Sequence, residues 1–364
     1  MDSGSNRPNL TVLAGAFLLA SCGNIIGFQE RSTDIGDLPR LDIFVGEDEM
    51  GILYDSLTND AYASCRFDDG ERRRSAGIRI RGDSSRMQPK KSFTLVFEED
   101  GEEVKVALDS GGDPWFLYNI AMYAYELVGL PAPQLRPVAL FLNDSYLGYY
   151  SMIRMYSDDL NDFFGSENGE LYKFDHLAQD TAEKKFPDDG DYSLFQQLMT
   201  NVEQLPGDSW IDWCEDNINL ESTAKYVAVS DYLGIWDIKT KNFYLYFGDE
   251  TYVLPWDNDH GLCYSGPGGD DPITARLFES PLFVECYREC LEAYFLDAGP
   301  DNIVFLLEQR LDELSTLLDT AVRNSPVFYL TYQAFLDEKA EFETFLNTRG
   351  DQVVSDPEWT RYVE

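Results

Sequence analysis

The chain carries Asp237-Ile-Lys-Thr-Lys-Asn242 and, seventeen positions after that Asn, Asp259-His-Gly261. A carboxylate at the first position can orient an attacking hydroxyl group. An Asn oxygen and a second carboxylate are suitable ligands for a divalent cation. The spacing therefore predicts one site that combines a base with a bound cation.

The segment between these two groups predicts a β-hairpin. Residues 242–247 and 251–254 are short runs rich in aromatic and β-branched residues, and the turn signal Gly248-Asp-Glu250 separates them. Such a hairpin brings Asp237 and Asn242 beside the run 255–259. Three acidic groups and an Asn are then expected at one mouth.

The order of the motifs is the one that kinases use for a base and two magnesium ligands. Either motif alone is common by chance in a chain with 66 acidic residues, but a hairpin between them supplies the structural context. The pattern indicates phosphoryl transfer, with Asp237 as the catalytic base. Asn242 and Asp259 are the expected Mg²⁺ ligands, and Asp257 is a second carboxylate for the cation.

A basic block near residue 85 is the predicted nucleotide contact. Arg81-Gly-Asp-Ser-Ser85 follows a predicted strand, and its turn could hold phosphate through backbone N–H groups and hydroxyls, or be a plain hairpin turn. Lys90 and Lys91 alternate on the next strand, so only one should reach the phosphates, and the pattern does not say which. The predicted nucleotide-binding residues are Arg81, Ser84, Ser85, Arg86, Lys90, Lys91 and, as the partner of the lysine, Glu126. Glu126 lies nearly opposite the apolar stripe of its own predicted helix.

The composition predicts a globular, strongly acidic protein. The formal net charge is −38, with 44% hydrophobic and 14% aromatic residues. Such a surface repels nucleic acid, so we expect no nucleic-acid partner. Apart from Cys22 the five cysteines permit one or two disulfides, but buried thiols are favoured, and with two histidines a zinc site is not expected.

The N-terminus predicts export and lipid attachment. Residues 10–20 form an apolar run too short to span a bilayer as a helix, and it leads into Leu19-Ala-Ser-Cys22. That tetrapeptide resembles a bacterial lipobox, which implies cleavage before Cys22 and a lipid on its sulfur. We expect a signal peptide over 1–21, a tether over 22–38, and a lipid-anchored protein of the cell envelope, in the outer membrane if the host is diderm.

Periodicity predicts a β-rich first part and a helical second part. Strands are expected at 41–45, 76–80, 92–97 and 138–142, with helices within 46–59 and over 120–130. Further helices are expected over 210–233, 281–296, 302–323 and 335–346. The fold class is therefore α+β, a bilobal kinase-like fold with a β-rich N-lobe over 39–150 and a mainly helical C-lobe over 151–355.

Several motifs together resemble the CotH kinase family, the spore-coat-type atypical protein kinases. They are Ile78-Arg-Ile-Arg-Gly-Asp-Ser-Ser-Arg86, Pro89-Lys-Lys-Ser-Phe93, Ala124-Tyr-Glu-Leu-Val-Gly-Leu-Pro131, Leu140-Phe-Leu-Asn143, Tyr146-Leu-Gly148, Leu171-Tyr-Lys173, Lys241-Asn-Phe-Tyr-Leu-Tyr246 and Pro255-Trp-Asp-Asn-Asp-His-Gly261. The resemblance implies transfer of the ATP γ-phosphate to Ser or Thr hydroxyls of envelope or secreted proteins, with Mg²⁺ or Mn²⁺. Arg154 stands where the family tends to have Glu. The alternative is a pseudokinase or surface adhesin with the same fold; a Ca²⁺-binding surface protein is disfavoured because no EF-hand loop is present.

Overall fold

A computed structural model of the chain describes residues 34–55, 57–82, 84–110, 115–175, 182–238, 241–263, 266–268, 271–326 and 331–363. The side chains of Ser84 and Ser85 lie outside that description, as do Cys22, the predicted signal peptide and most of the predicted tether. Residues Ile35–Glu364 form one compact unit by their contacts.

Seven strands close into a barrel. They are β1 (Arg40–Val45), β2 (Ala63–Asp68), β3 (Arg73–Arg81), β4 (Ser92–Glu99), β5 (Glu102–Asp109), β6 (Leu135–Leu142) and β7 (Ser145–Arg154). Their order around the barrel is β1-β2-β3-β4-β5-β7-β6. The neighbours are antiparallel except for β1 and β6, which close the barrel in parallel with Arg40 opposite Ala139. The closure therefore joins strands about one hundred residues apart in the chain.

The two faces of the barrel strands are buried in different ways. Ile78, Ile80, Phe93 and Leu95 belong to a cluster that fills the barrel. Ala107 and other residues of the outer face of β5, β6 and β7 pack instead into a larger cluster shared with the second half of the chain. The helix α1 (Glu47–Asp55) lies after β1 and buries Leu53 against the barrel cluster. The outer face around β5 is thus the surface on which the remaining elements pack.

A second sheet has four strands in the order β11-β10-β8-β9. These strands are β8 (Glu170–Asp175), β9 (Ala182–Phe186), β10 (Lys241–Phe247) and β11 (Thr251–Pro255). The hairpin of β10 and β11 pairs Phe243 with Pro255 through Phe247 with Thr251. This confirms the predicted hairpin, and it carries one candidate residue at each end.

The helices surround the second sheet and cover the outer face of the barrel. They are α2 (Leu117–Leu127), α3 (Asp159–Phe164), α4 (Ser193–Gln204), α5 (Gly207–Asn217), α6 (Leu220–Tyr232), α7 (Pro272–Leu277), α8 (Pro281–Leu291), α9 (Val304–Arg323), α10 (Tyr332–Ser355) and α11 (Pro357–Val363). Ser84–Met87 forms a short 3₁₀ turn and Glu292–Leu296 a π-helical turn. On α9, Leu307, Leu311, Leu314 and Leu318 are buried, so the predicted apolar stripe is core packing.

Most predicted elements are present, with altered bounds. The helix expected over 210–233 is two helices, because the chain leaves helical geometry at Ile218, which bridges to Thr251, and Asn219 then caps α6 through Ser222 N. The last long helix extends to Ser355 rather than 346. The mixed α and β class is confirmed, whereas the barrel closure was not predicted, and the division into two lobes stays a prediction.

All five cysteines that the structure describes are free thiols, and Cys65, Cys214 and Cys290 are buried. The expectation of buried thiols is met at these three positions, while Cys263 is exposed. Within the described ranges, no helix has the length and apolarity needed to cross a bilayer.

Candidate active site

Asn242 is placed by a β-bulge. The register of β10 against β8 shifts between Lys241 and Phe243, which leaves Asn242 outside the ladder with a left-handed backbone, φ 66°. Asn and Asp tolerate this conformation better than other non-glycine residues, and a bulge turns a side chain in a new direction. The buried Asn242 amide donates to Asp237 Oδ2 at 2.9 Å and to the carbonyl oxygen of Asp257 at 3.4 Å. One side chain thus connects the two predicted motifs.

The segment before Asp237 is fastened to the segment after Asp259 through backbone hydrogen bonds. Leu262 N donates to Leu233 O at 2.9 Å, Cys263 N to Gly234 O at 3.3 Å and Trp236 N to His260 O at 3.2 Å. A Cβ at Gly234 would lie 2.1 Å from the Cys263 carbonyl oxygen. Only glycine fits this approach, which holds the two segments of the site in a fixed relation.

Asp257 and Asp259 are two carboxylates that disfavour each other's charge. Asp257 has φ 57°, so the chain is not extended there, and its N–H donates to the Tyr118 hydroxyl at 3.3 Å. Burial raises the pKa of Asp257 above its usual range. Burial, followed by the charges of Asp257 and Asp109, raises the pKa of Asp259 to about 8. The Asp257–Asp259 segment is therefore short of positive charge.

The donor set of this segment fits a divalent cation. Magnesium prefers oxygen ligands, commonly one or two carboxylates together with substrate phosphates. The chain offers carboxylates at Asp257 and Asp259 and an amide at Asn242 beside them, and a cation would offset the repulsion that raises both pKa values. Among the described residues, no group of three His, Cys, Asp or Glu side chains is close enough to form a complete cation site. The protein residues would therefore supply only part of the coordination.

Three cations act on Asp257 from different elements. Arg81 at the end of β3, Lys173 on β8 and Lys241 on β10 all lower its pKa, against the larger effect of burial. The Arg81 guanidinium lies 5.9 Å from the centre of the Trp256 ring. Lys241 Nζ lies 3.4 Å from Asp237 Oδ2. The acidic site thus has a basic border in a chain with 28 basic and 66 acidic residues.

The two candidate lysines point to different surroundings. Lys90 Nζ donates to the Tyr149 carbonyl oxygen at 2.5 Å and lies 4.5 Å from the centre of the Tyr150 ring. Lys91 Nζ donates to the Arg86 carbonyl oxygen at 2.6 Å. Burial lowers the pKa of Lys90 to about 7, and the nearby charge of Asp109 opposes that effect. Lys90 is therefore the lysine that shares a carboxylate neighbour with Asp257 and Asp259.

Three other predicted nucleotide contacts are placed differently. The Arg86 guanidinium donates to Asp60 at 2.6 Å and to Gly82 O, and Arg79 pairs with the same Asp60 carboxylate at 2.6 Å. Ser84 and Ser85 lie in the 3₁₀ turn, and their side chains lie outside the described residues. Glu126 is exposed in the last turn of α2, and the charged neighbour that lowers its pKa against burial is Arg310. It lies about 12 Å along the helix axis from Tyr118, the α2 residue that contacts Asp257.

Sequence reasoning missed Asp109, the last residue of β5. Its charge raises the pKa values of Asp257 and Asp259 and opposes the fall in the pKa of Lys90. The available signal was the run Val104-Lys-Val-Ala-Leu-Asp109, whose apolar residues fit a strand that ends at the carboxylate. Without that strand nothing connected Asp109 with Lys90.

A buried network holds the far end of the site segment. Asp231 near the end of α6 accepts hydrogen bonds from Gly268 N at 2.9 Å and from the Tyr287 hydroxyl at 2.8 Å. Arg349 of α10 is fully buried and donates to the carbonyl oxygens of Asp231 at 2.6 Å and Tyr232 at 3.0 Å. The segment that carries Asp257 and Asp259 is thereby attached to α6 at both ends.

The chain matches the model of a family described as CotH kinase protein over residues 78–351, about three quarters of its length. No curated protein matches its sequence. Among solved structures, the crystal structure of a Helicobacter pylori proinflammatory kinase, CtkA, is similar. It is 12% identical with a TM-score of 0.33, and the match covers 74% of this chain and 91% of that chain. Since the family match covers most of the chain and includes every residue of the site described above, the chain belongs to the CotH kinase family.

Proposed function

We propose that this protein is a kinase that transfers the γ-phosphate of ATP to Ser or Thr hydroxyls of envelope or secreted proteins. The observation that carries the proposal is the hydrogen bond from Asn242 to Asp237 at 2.9 Å, made next to the fastened segment of Asp257 and Asp259. It places a base and cation-binding oxygens in one site, as phosphoryl transfer requires.

In this proposal Asp237 takes the proton of the acceptor hydroxyl. The hydroxyl oxygen forms a bond to the γ-phosphorus while the bond from that phosphorus to the β-bridging oxygen breaks, and ADP leaves. A Mg²⁺ or Mn²⁺ ion held by Asn242, Asp257 and Asp259 would supply charge neutralisation for the phosphates. Asn242 orients Asp237 by donating to one of its carboxylate oxygens. Lys241, 3.4 Å from the same oxygen, favours the charged form of the base.

Lys90 is the proposed phosphate-binding lysine. It shares its carboxylate neighbour, Asp109, with Asp257 and Asp259. Lys91 instead donates to the Arg86 carbonyl oxygen at 2.6 Å. Arg81 is the second proposed phosphate contact, because it borders Asp257 from β3. Arg86 can contribute only after it leaves Asp60, with which it pairs at 2.6 Å.

The test is phosphate transfer from labelled ATP by the purified protein, with Mg²⁺ or Mn²⁺, to itself and to an envelope extract. We expect labelled protein, and none with Asp257→Asn. The matched control is Asp249→Asn, which changes an exposed carboxylate in the turn of the same hairpin. Equal labelling by wild type and Asp257→Asn would refute the site assignment.

A pseudokinase or adhesin is the second candidate. Its support is that Arg154 forms ion pairs with Glu99 at 3.5 Å and Asp159 at 3.6 Å, and that Arg86 is held by Asp60. Cations that could serve the nucleotide are therefore engaged elsewhere. An ATP-induced rise in melting temperature without any transfer would favour this candidate.

We also propose that the protein is anchored in the cell envelope through a lipid on Cys22. The support is the sequence Leu19-Ala-Ser-Cys22 at the end of an apolar run. Cys22→Ser should move the protein from the detergent-extracted membrane fraction to the soluble fraction, or leave the precursor uncleaved. A wild-type protein that is soluble and retains residues 1–21 would contradict the anchor.

A further inference from the structure

We infer that Asp109 is the positioning residue of Lys90, the role that sequence reasoning gave to Glu126. The inference rests on the proposed function in one respect, since it takes Lys90 as the phosphate-binding lysine. It adds a residue outside both motifs and a direction for the side chain of Lys90.

The ammonium group of Lys90 is enclosed by groups that do not neutralise it. It donates to the Tyr149 carbonyl oxygen at 2.5 Å and lies 4.5 Å from the centre of the Tyr150 ring. Gly148, with φ 109°, allows this approach, because a Cβ there would stand 3.5 Å from Nζ and 2.9 Å from Ser325 Oγ. A buried ammonium in such surroundings needs a carboxylate to stay protonated.

The strand geometry places Asp109 where it can be that carboxylate. Phe93 of β4 is opposite Leu108 of β5, so Ser92 and Asp109 are neighbours at the ends of the two strands. The Ser92 hydroxyl lies 3.5 Å from Asp109 Oδ2, and Ser110 N donates to that hydroxyl at 2.9 Å. Lys90 precedes Ser92 by two residues and so lies on the same side of an extended chain.

The electrostatics agree with this placement. Asp109 is the charged group that raises the pKa of Lys90, against the larger lowering by burial. For Glu126 the charged neighbour is Arg310, at the far end of α2. Asp109 also acts on Asp257 and Asp259. One carboxylate therefore holds the lysine in place at the edge of the predicted cation site.

The test is a double-mutant cycle on ATP affinity at pH 8, using Asp109→Asn, Lys90→Met and the pair, with and without Mg²⁺. An opposite charge commonly shifts a pKa by about one or more, so losing Asp109 should lower the protonated fraction of Lys90, and the affinity, roughly tenfold. In the Lys90→Met background the same change should alter affinity less than about twofold. Glu126→Gln is the control and should leave affinity within about twofold.

An equal loss in both backgrounds would overturn the inference. If that loss occurred only with Mg²⁺, the carboxylate would act on the cation rather than on Lys90. A gain in affinity on Asp109→Asn would overturn it as well. Melting temperatures of the four proteins show whether a loss of affinity reflects unfolding.

A second readout does not depend on kinase activity. Competitive acylation followed by mass spectrometry reports the reactivity of the Lys90 amine as a function of pH. Asp109→Asn should make Lys90 react at lower pH than in wild type, because its pKa falls, while Glu126→Gln should not change it. If wild type neither bound nor used ATP, the proposed function would fail, and this labelling would still decide whether Asp109 holds Lys90.

Discussion

Replacing Asp259 by Asn should stabilise the metal-free protein at alkaline pH. Burial and the charges of Asp257 and Asp109 raise the pKa of Asp259 to about 8, whereas an Asp in an unfolded chain titrates near ~3.9. As the pH rises, the unfolded chain releases this proton first. The carboxyl therefore makes the folded state less stable from about pH 4 to about pH 8, with the full effect above pH 8. An Asn has no proton to release.

The expected gain is modest because the carboxyl is partly solvated. Each tenfold change in proton affinity is worth about 1.4 kcal/mol, so a fully enclosed carboxyl with these two pKa values would cost over ~5 kcal/mol. The side chain of Asp259 is 34% exposed and shares its repulsion with Asp257. Solvent screening then reduces the expected gain to about 1–2 kcal/mol. For a chain of this size, that is a rise in melting temperature of roughly 2–5 °C.

The assay is thermal unfolding of wild type and Asp259→Asn at several pH values from 5 to about 9, with EDTA or with Mg²⁺. The difference with EDTA should grow with pH. Added Mg²⁺ should stabilise wild type more at pH 9 than at pH 6, because the cation binds the ionised carboxylate, and should stabilise Asp259→Asn less at every pH. Asp249→Asn controls for the loss of one surface charge. If Asp259→Asn were less stable than wild type at pH 9 in EDTA, burial would not be holding this carboxyl neutral.

Four further outcomes are expected. Asp237→Ala should lower turnover by about 10²-fold or more with ATP affinity nearly unchanged, because it removes the base and no phosphate contact; wild-type turnover would refute the role. Lys90→Ala should weaken ATP binding in calorimetry, while Lys91→Ala should not, and the reverse result would exchange their roles. Arg349→Met should lower the free energy of unfolding in denaturant by about 2–4 kcal/mol, because two buried carbonyl oxygens lose their donor; a change within ~0.5 kcal/mol would show that the site frame does not need it. Melting temperature should rise between about 0.05 M and about 1 M NaCl, since salt screens the repulsion within a chain of net charge −38, and a flat curve would contradict this.

The hairpin and its two flanking motifs could be predicted because they are local. The β-rich runs at 242–247 and 251–254 bring Asn242 and Asp257 together over a few residues of chain, and the structure places Asn242 within hydrogen-bonding distance of Asp237. The bulge that turns Asn242 out of the ladder depends on β8, far away in sequence. Pattern alone therefore brought these residues to one mouth without their orientation.

The choice between Lys90 and Lys91 could not be made from the sequence. A strand pattern shows that two adjacent side chains lie on opposite faces, but it does not show which face meets the second half of the chain. Here the answer depends on a closed barrel, and its closing pair joins residue 40 to residue 139. The same non-local geometry brought Asp109 to Lys90, and placed Arg86 against Asp60. None of these contacts has a periodic signature.

The buried Arg349 sets an order of events during synthesis. By the time residue 300 has been added, every candidate reactive group from Arg81 to Asp259 has been made. The guanidinium that fixes the end of α6 comes about fifty residues later, on α10. Because chains are made from the N-terminus and domains fold in that order, the barrel can form well before this contact exists. A ribosome that stops early would release a protein with a complete set of reactive residues and no fastening for them, so the last helices act as a delay between making the site and arming it.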